Sequence, residues 1–130
     1  MVAEVGEQVR YVIKAVAAGS VDARRATDFS TDLILVDAPS PGAGRVFDWG
    51  LVGEVPEGPR LILAGGLDPE NVGDAVRRVR PWGVDVSSGV ERTPGRKDAL
   101  KLKYFVERAR AWAPEPYVGD DSMPYDWDVE

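Results

Sequence analysis

Cysteine and histidine are absent from the 130 residues. Their absence excludes disulfides, thiolate nucleophiles, Cys/His zinc sites, imidazole base catalysis and any Ser-His-Asp triad. Positive charge is also scarce. Lys and Arg number 16 against 22 Asp and Glu, a net charge of -6. That balance argues against a protein that works by neutralising nucleic-acid phosphates. No strongly apolar run exceeds about eight residues, against roughly 20 for a membrane span. Residues 1–10 lack the basic region and apolar stretch of a signal peptide. The expectation is a soluble cytoplasmic protein with neither membrane nor nucleic acid among its partners. What is present suits one domain. Hydrophobic residues make up 44%, enough for a core, and Gly (14) and Pro (10) lie between apolar runs as in a loop-rich globular fold.

Four short apolar runs recur, at 11–16, 32–37, 60–65 and 83–87. Each is rich in Val, Ile or Leu, shows little alternation and is followed by Gly, Pro, Ser or Asp. Such runs read as strands buried on both faces, as in parallel sheets. Helical patterns fill the gaps. The segment 20–27 is a short one, and 47–52 predicts one or two turns. Segment 68–79 is clearer: Asp68 is expected to cap, Pro69 to take the first helical position, and Val72, Ala75, Val76 and Val79 to form one face. The longest runs from 98 to 112, with Leu100, Leu102, Tyr104, Phe105, Ala109 and Trp112 as its apolar positions. Residues 1–8 are read as the end of another helix.

The order is therefore (α)βαβαβαβα, which implies a parallel sheet with right-handed crossovers. The spacing suits a β/α barrel, but eight units need at least ~200 residues. The fold class is α/β: either half of a TIM (β/α)8 barrel built from four parallel βα units, or a complete small doubly wound sheet. Residues 113–130 show no period and are acidic, with three prolines and three aromatics. They read as a surface extension or as a docking peptide for a partner.

In a parallel β/α sheet, ligands sit at the carboxyl ends of the strands. After the third run, Gly65 and Gly66 let the backbone approach an anion closely. The helix expected to follow almost at once would aim its free N–H groups and dipole there. After the fourth, Ser87, Ser88 and Gly89 offer amide and hydroxyl donors. Two adjacent donor-rich loops point to a phosphate, against local turns as the plain structural explanation. After the second run, Asp37 closes an apolar stretch, and a partly desolvated carboxyl can deliver a proton near neutral pH. A structural role in its Pro/Gly-rich loop is equally open at this point. Lys14 and Asp85 interrupt apolar runs, and such charges are costly unless paired. They are expected to pair with each other or with a ligand.

At this point the residues resemble a known family. The blocks are Val12-Ile-Lys-Ala-Val16, Leu35-Val-Asp37 with Gly42-Ala-Gly44, Phe47-Asp-Trp49, Ala64-Gly-Gly-Leu-Asp-Pro-Glu-Asn-Val72, and Arg80-Pro-Trp-Gly-Val-Asp-Val-Ser-Ser-Gly-Val-Glu91 with Pro94-Gly-Arg-Lys-Asp98. They occur in the order, and roughly the spacing, of phosphoribosylanthranilate isomerase. The resemblance covers residues 9 to 112 and only the second half of that family's barrel, strands five to eight. It implies a domain assignment of 1–112 to the C-terminal half-barrel and 113–130 to an extension. It also implies an Amadori rearrangement in tryptophan biosynthesis, from N-(5'-phosphoribosyl)anthranilate to 1-(o-carboxyphenylamino)-1-deoxyribulose 5-phosphate. No metal or organic cofactor is implied.

By the same resemblance Asp37 is the general acid that opens the ribose ring. Gly65, Gly66, Ser87, Ser88 and Gly89 grip the phosphate, and Asp85 is a pocket residue. The family's general base is a cysteine in a Cys-Gly motif at the end of the first barrel strand, and this chain has no such residue. The expected partners are therefore a phosphoribosyl substrate and either the missing N-terminal half-barrel or a second copy of the chain. Alone, the 130 residues are expected to be nearly inactive. The gap between Asp37 and the Gly-x-Gly is shorter than the family's usual one, which alters lid contacts rather than the acid. The alternative reading is a non-catalytic, self-associating phosphate-binding half-barrel. A histidine-pathway isomerase is disfavoured by the Phe-Asp-Trp and Ser-Ser-Gly-Val-Glu blocks.

Overall fold

The computed structural model describes residues 8–9, 11–38 and 49–114. Expectations that fall on residues 1–7, 39–48 and 115–130 lie outside this range. They concern the initial helix, the Pro/Gly-rich loop with Gly42-Ala-Gly44, the first two residues of Phe47-Asp-Trp49 and nearly all of the extension.

Four strands form one parallel sheet: β1 (Ile13–Ala17), β2 (Leu33–Asp37), β3 (Arg60–Ala64) and β4 (Gly83–Val84), hydrogen-bonded in the order β1-β2-β3-β4. Between β1 and β2 lie α1 (Val21–Arg24), whose amide at Ala23 donates to the Ser20 hydroxyl at 3.1 Å, and a 3₁₀ turn at Ala26–Asp28. A 3₁₀ segment at Trp49–Glu54 precedes β3, and α2 (Val72–Val79) links β3 to β4. After β4 come a 3₁₀ turn (Ser88–Val90), a small antiparallel hairpin of β5 (Glu91–Thr93) and β6 (Arg96–Lys97), and α3 (Ala99–Trp112).

The strand order decides between the two candidate architectures. A doubly wound sheet reverses its order at a switch point and carries helices on both faces. Here the order follows the chain, so successive right-handed crossovers place every helix on the same face. The buried core records this. Val16, Ile34, Val36 and Leu63 point from the strands to Ala23, Ala26, Val72, Ala75, Val76 and Phe105. The other face carries Ile13, Ala15 and Ala17 from β1, Leu35 and Asp37 from β2, and Ile62 from β3, matched by the strand register. On that face Ile13 is 48% exposed and Leu35 and Ile62 are half-buried. The expectation of burial on both faces is thus corrected. The strands are apolar on both sides, but in this chain the second side is buried only at Leu33 and Ala64. Half of a closed barrel has this form, because the interior face waits for the opposite four strands.

Helix α2 starts later than the pattern predicts. The Asp68 carboxylate is taken up by a local turn, accepting from the amides of Glu70 (2.7 Å) and Asn71 (2.8 Å). Asn71 then stands before the helix, which begins at Val72. In α3 only Phe105 is fully buried, with Ala109 packed partly against the core. Leu100, Leu102, Tyr104 and Trp112, apolar positions of the sequence pattern, are exposed. Leu102, two residues from each, lies across the helix from Leu100 and Tyr104, which share a side four residues apart. Trp112 nonetheless closes on α2: a Cβ at Gly73 would sit 3.1 Å from its indole, and Arg77 lies 5.6 Å over the ring.

Asp98 caps α3, accepting from the amides of Leu100 (2.9 Å) and Lys101 (3.1 Å). The Lys101 amide first, then that of Leu100 and the Arg92 guanidinium, hold its carboxyl below the ordinary 3.8. A depressed native value stabilises the fold above the unfolded value, and this contribution is lost as pH falls through the native one. Asp98→Ala should therefore lower the melting temperature by about 4 °C or more at pH 7. The difference from the parent should shrink once the pH falls below 3.8, as followed by circular dichroism across a pH series.

Candidate active site

All four strands run the same way, so their carboxyl ends share one rim. Asp37 is the last residue of β2 and pairs in register with Ala64, the last of β3. Beyond the ladder, the Ala38 amide donates to the Ala64 carbonyl (2.8 Å) and the Asp85 amide to the Leu63 carbonyl (2.8 Å). These rungs hold the loops after β2, β3 and β4 side by side. They enclose a cleft of about 180 Å³ floored by Leu35 and lined by Asp37, Gly65, Gly66, Asp85, Ser87, Ser88 and Gly89. Every site residue expected from the sequence meets there.

Glycine is required at two of these positions. Gly65 has φ 92, and a Cβ on it would collide with the Ala38 carbonyl and the Asp37 carboxylate. A Cβ on Gly89 would collide with the Leu67 carbonyl. The two donor-rich loops therefore touch backbone to backbone, which no residue with a side chain permits without displacement. Gly89→Ala should cost about 1–3 kcal/mol by overpacking and separate the two loops. Urea unfolding would read the first effect, and calorimetric titration with a phosphorylated ligand would read the second as weakened binding.

The donors of the cleft are main-chain amides. Among the described residues, the N–H groups of Gly66, Ser88 and Gly89 donate to no protein acceptor. Unsatisfied amides converging on one cavity suit an anion. The source of these donors differs from the expectation. The start of α2 is separated from Gly66 by the Asp68–Asn71 turn, so its dipole does not abut the glycines. That turn instead braces the loop: the Asn71 side-chain amide donates to the Gly66 carbonyl (3.0 Å), and its oxygen accepts from the Asp68 amide (2.9 Å).

Asp37 is exposed, not desolvated, because the face it stands on is open. Among the described residues its carboxylate has no hydrogen bond or ion pair. Asp85 stands on the same face as Leu35 and Ile62. Lys14 does not. Its register partner is Ile34, on the helix-covered face, where its ammonium lies 5.0 Å over the Phe29 ring. The expected Lys14–Asp85 pair is thus ruled out by the pleat, which sends the two side chains to opposite sides. Lys97 went unassigned in the sequence. Its ammonium donates to the Ser87 carbonyl at 2.9 Å and lies 3.6 Å from Glu91, tying the hairpin to the loop after β4. The Pro94-Gly95 turn was the available signal for that hairpin. No cluster of potential metal ligands occurs among the described residues. No helix among them is long and apolar enough to cross a membrane.

The family model described as N-(5'phosphoribosyl)anthranilate (PRA) isomerase matches residues 2–108. The chain belongs to the phosphoribosylanthranilate isomerase family. An N-(5'-phosphoribosyl)anthranilate isomerase of Trichlorobacter lovleyi is 49% identical over 88 residues, covering 64% of this chain and 43% of that protein. The crystal structure of phosphoribosyl anthranilate isomerase from Thermotoga maritima superimposes with a TM-score of 0.67 at 38% identity, over 84% of this chain and 55% of that one. A family member in complex with reduced 1-(o-carboxyphenylamino)-1-deoxyribulose 5-phosphate superimposes with a TM-score of 0.63 at 37% identity, covering 84% of this chain and 53% of that one. The chain spans about half the length of the phosphoribosylanthranilate isomerases it matches, in keeping with four βα units of an eight-unit barrel.

Proposed function

We propose that this chain supplies the proton-donating, phosphate-binding half of a phosphoribosylanthranilate isomerase, with residues 1–112 as the half-barrel and 113–130 as an extension. The observation that carries the reading is the single cleft shared by Asp37 and the two glycine-bearing loops. It sets a carboxyl group beside a cradle of free amides, the arrangement needed to hold a sugar phosphate by one end and protonate it at the other. The ligand named in the 37%-identical complex, a reduced carboxyphenylamino-deoxyribulose phosphate, carries both features.

The Gly66, Ser88 and Gly89 amides take the 5'-phosphate, and the Ser87 and Ser88 hydroxyls add donors. Asp37 gives its proton to the ribose ring oxygen as the C1'–O bond breaks and nitrogen lone-pair density forms the C=N bond. A base then removes the C2' proton, and the resulting enol settles as the ketone. The cysteine that the family resemblance gives as this base has no counterpart in the 130 residues, which contain neither Cys nor His. Asp85 faces the same cavity and orients the sugar hydroxyls. Water on the open face leaves Asp37 solvated, so covering the cleft is part of making it a competent acid.

The test is reconstitution. The chain mixed with the amino-terminal half-barrel of a family member should convert N-(5'-phosphoribosyl)anthranilate to the deoxyribulose product, measured chromatographically. Either half alone should be near background. Failure of a folded, stoichiometric complex to turn over would remove the catalytic reading and leave only phosphate binding.

A further inference from the structure

The peptide unit joining Ser87 to Ser88 belongs to no ladder. Strand β4 ends at Val84, and Ser87 has φ -130 and ψ -88, outside helix and strand. Ser88 lines the cleft, and its N–H donates to no protein acceptor among the described residues. The other end of the same unit, the Ser87 carbonyl, accepts from the Lys97 ammonium at 2.9 Å. The Val90 amide reaches that oxygen only at 3.4 Å, beyond the usual N–H···O range. Lys97 itself does not line the cleft.

The ammonium is located by the hairpin. Lys97 pairs with Glu91 across β5 and β6, and its ammonium lies 3.6 Å from the Glu91 carboxylate. That carboxylate, with its side chain 14% exposed, also accepts from the Gly95 amide. The Glu91 carbonyl accepts from the Lys101 ammonium at 2.8 Å, which ties the hairpin to the first turn of α3.

A trans peptide unit is planar, so holding its carbonyl fixes where its N–H points. Half a turn of the unit would aim the carbonyl oxygen at the cleft and repel an anion there. With Lys97 in place that rotation forfeits a charge-assisted hydrogen bond. The ammonium also polarises the unit, which makes the Ser88 N–H a stronger donor. We propose that Lys97 is a positioning residue for the phosphate: it keeps the Ser87–Ser88 peptide turned with its N–H toward the cleft, without touching the ligand. This role rests on the phosphate reading proposed above and deepens it. The loop bearing Gly66 is braced separately, by Asn71, and so serves as an internal control.

Heteronuclear NMR of the full chain, isotope-labelled at serine and glycine nitrogen and titrated with inorganic phosphate, tests it. In the parent, the Gly66, Ser88 and Gly89 amide signals should shift together. Lys97→Met should weaken binding about tenfold and abolish the Ser88 shift while Gly66 still responds. Lys97→Arg, which keeps a cation within reach of the carbonyl, should restore both. Glu91→Gln removes the ion pair but leaves the bond to Ser87, and should keep binding within about twofold of the parent. Lys97→Gln takes the place of Lys97→Met if the latter does not fold. A Lys97→Met chain that responds like the parent would overturn the proposal and leave the phosphate reading standing. So would a Glu91→Gln chain that loses as much as Lys97→Met, since the hairpin tie rather than the carbonyl contact would then be at work. Parent amides indifferent to phosphate would remove the phosphate reading and the role of Lys97 with it.

Discussion

In the reconstituted enzyme, Asp37→Asn should reduce turnover by at least about 10³-fold, within the range a positioned general acid contributes. The effect should fall on kcat, because the substitution keeps the shape of the side chain and removes only the transferable proton. Folding should be spared. Asp37 is exposed, and among the described residues its carboxylate anchors no hydrogen bond or ion pair that Asn would break. Its carbonyl accepts from the Ala18 amide (2.9 Å) and the next rung runs from the Ala38 amide to the Ala64 carbonyl (2.8 Å), neither of which involves the Asp37 side chain. Phosphate affinity should also survive, since the Gly66, Ser88 and Gly89 amides are untouched. Steady-state kinetics of the reconstituted pair would read the loss, and urea unfolding the unchanged stability. Turnover within tenfold of the parent would take Asp37 out of the mechanism.

The chain by itself should bind an apolar dye with a several-fold rise in fluorescence and should scatter light as a species heavier than 14.1 kDa. The cause is the face bearing Ile13, Ala15, Leu35 and Ile62, together with strand edges at β1 and β4 that lack a partner within the described sheet. Burying a large aliphatic side chain contributes roughly 1.5–3 kcal/mol, so association over several such positions is strongly favoured. Unpaired edges supply matching backbone donors and acceptors. Adding the complementary half-barrel should suppress dye binding and give a one-to-one complex. The non-catalytic alternative makes a different forecast, a stable assembly of identical copies that the complementary half does not displace. A dye-silent monomer of 14.1 kDa would sink the open-face account altogether.

Much of the cleft is legible in the sequence because its lining is backbone and turn residues. Two glycines after an apolar run, or two serines and a glycine after another, announce a close approach and free amides wherever the strands end. The parallel arrangement alone brings those ends together. The position of Asp37 at the end of an apolar run is legible too, but its role as acid comes only from the family resemblance, since a structural role in the loop is equally open from the residues alone. The beginning of α2 is not legible. Asp68 and Asn71 have the composition of a helix cap, and only the loop around Gly66 determines that they serve a turn instead.

The order of the four parallel strands, the βα family and the residues of the cleft follow from the sequence alone, since each rests on local period, turn chemistry or a matched motif. Tertiary structure decided the rest. Strands that are apolar on both sides do not announce which side the helices cover, so only pairing register could send Lys14 to Phe29 and Asp85 to the cavity. Only the assembled sheet could leave Ile13 and Asp37 in solvent, because burial depends on what stands opposite a side chain, and that neighbour is not encoded in the run to which it belongs.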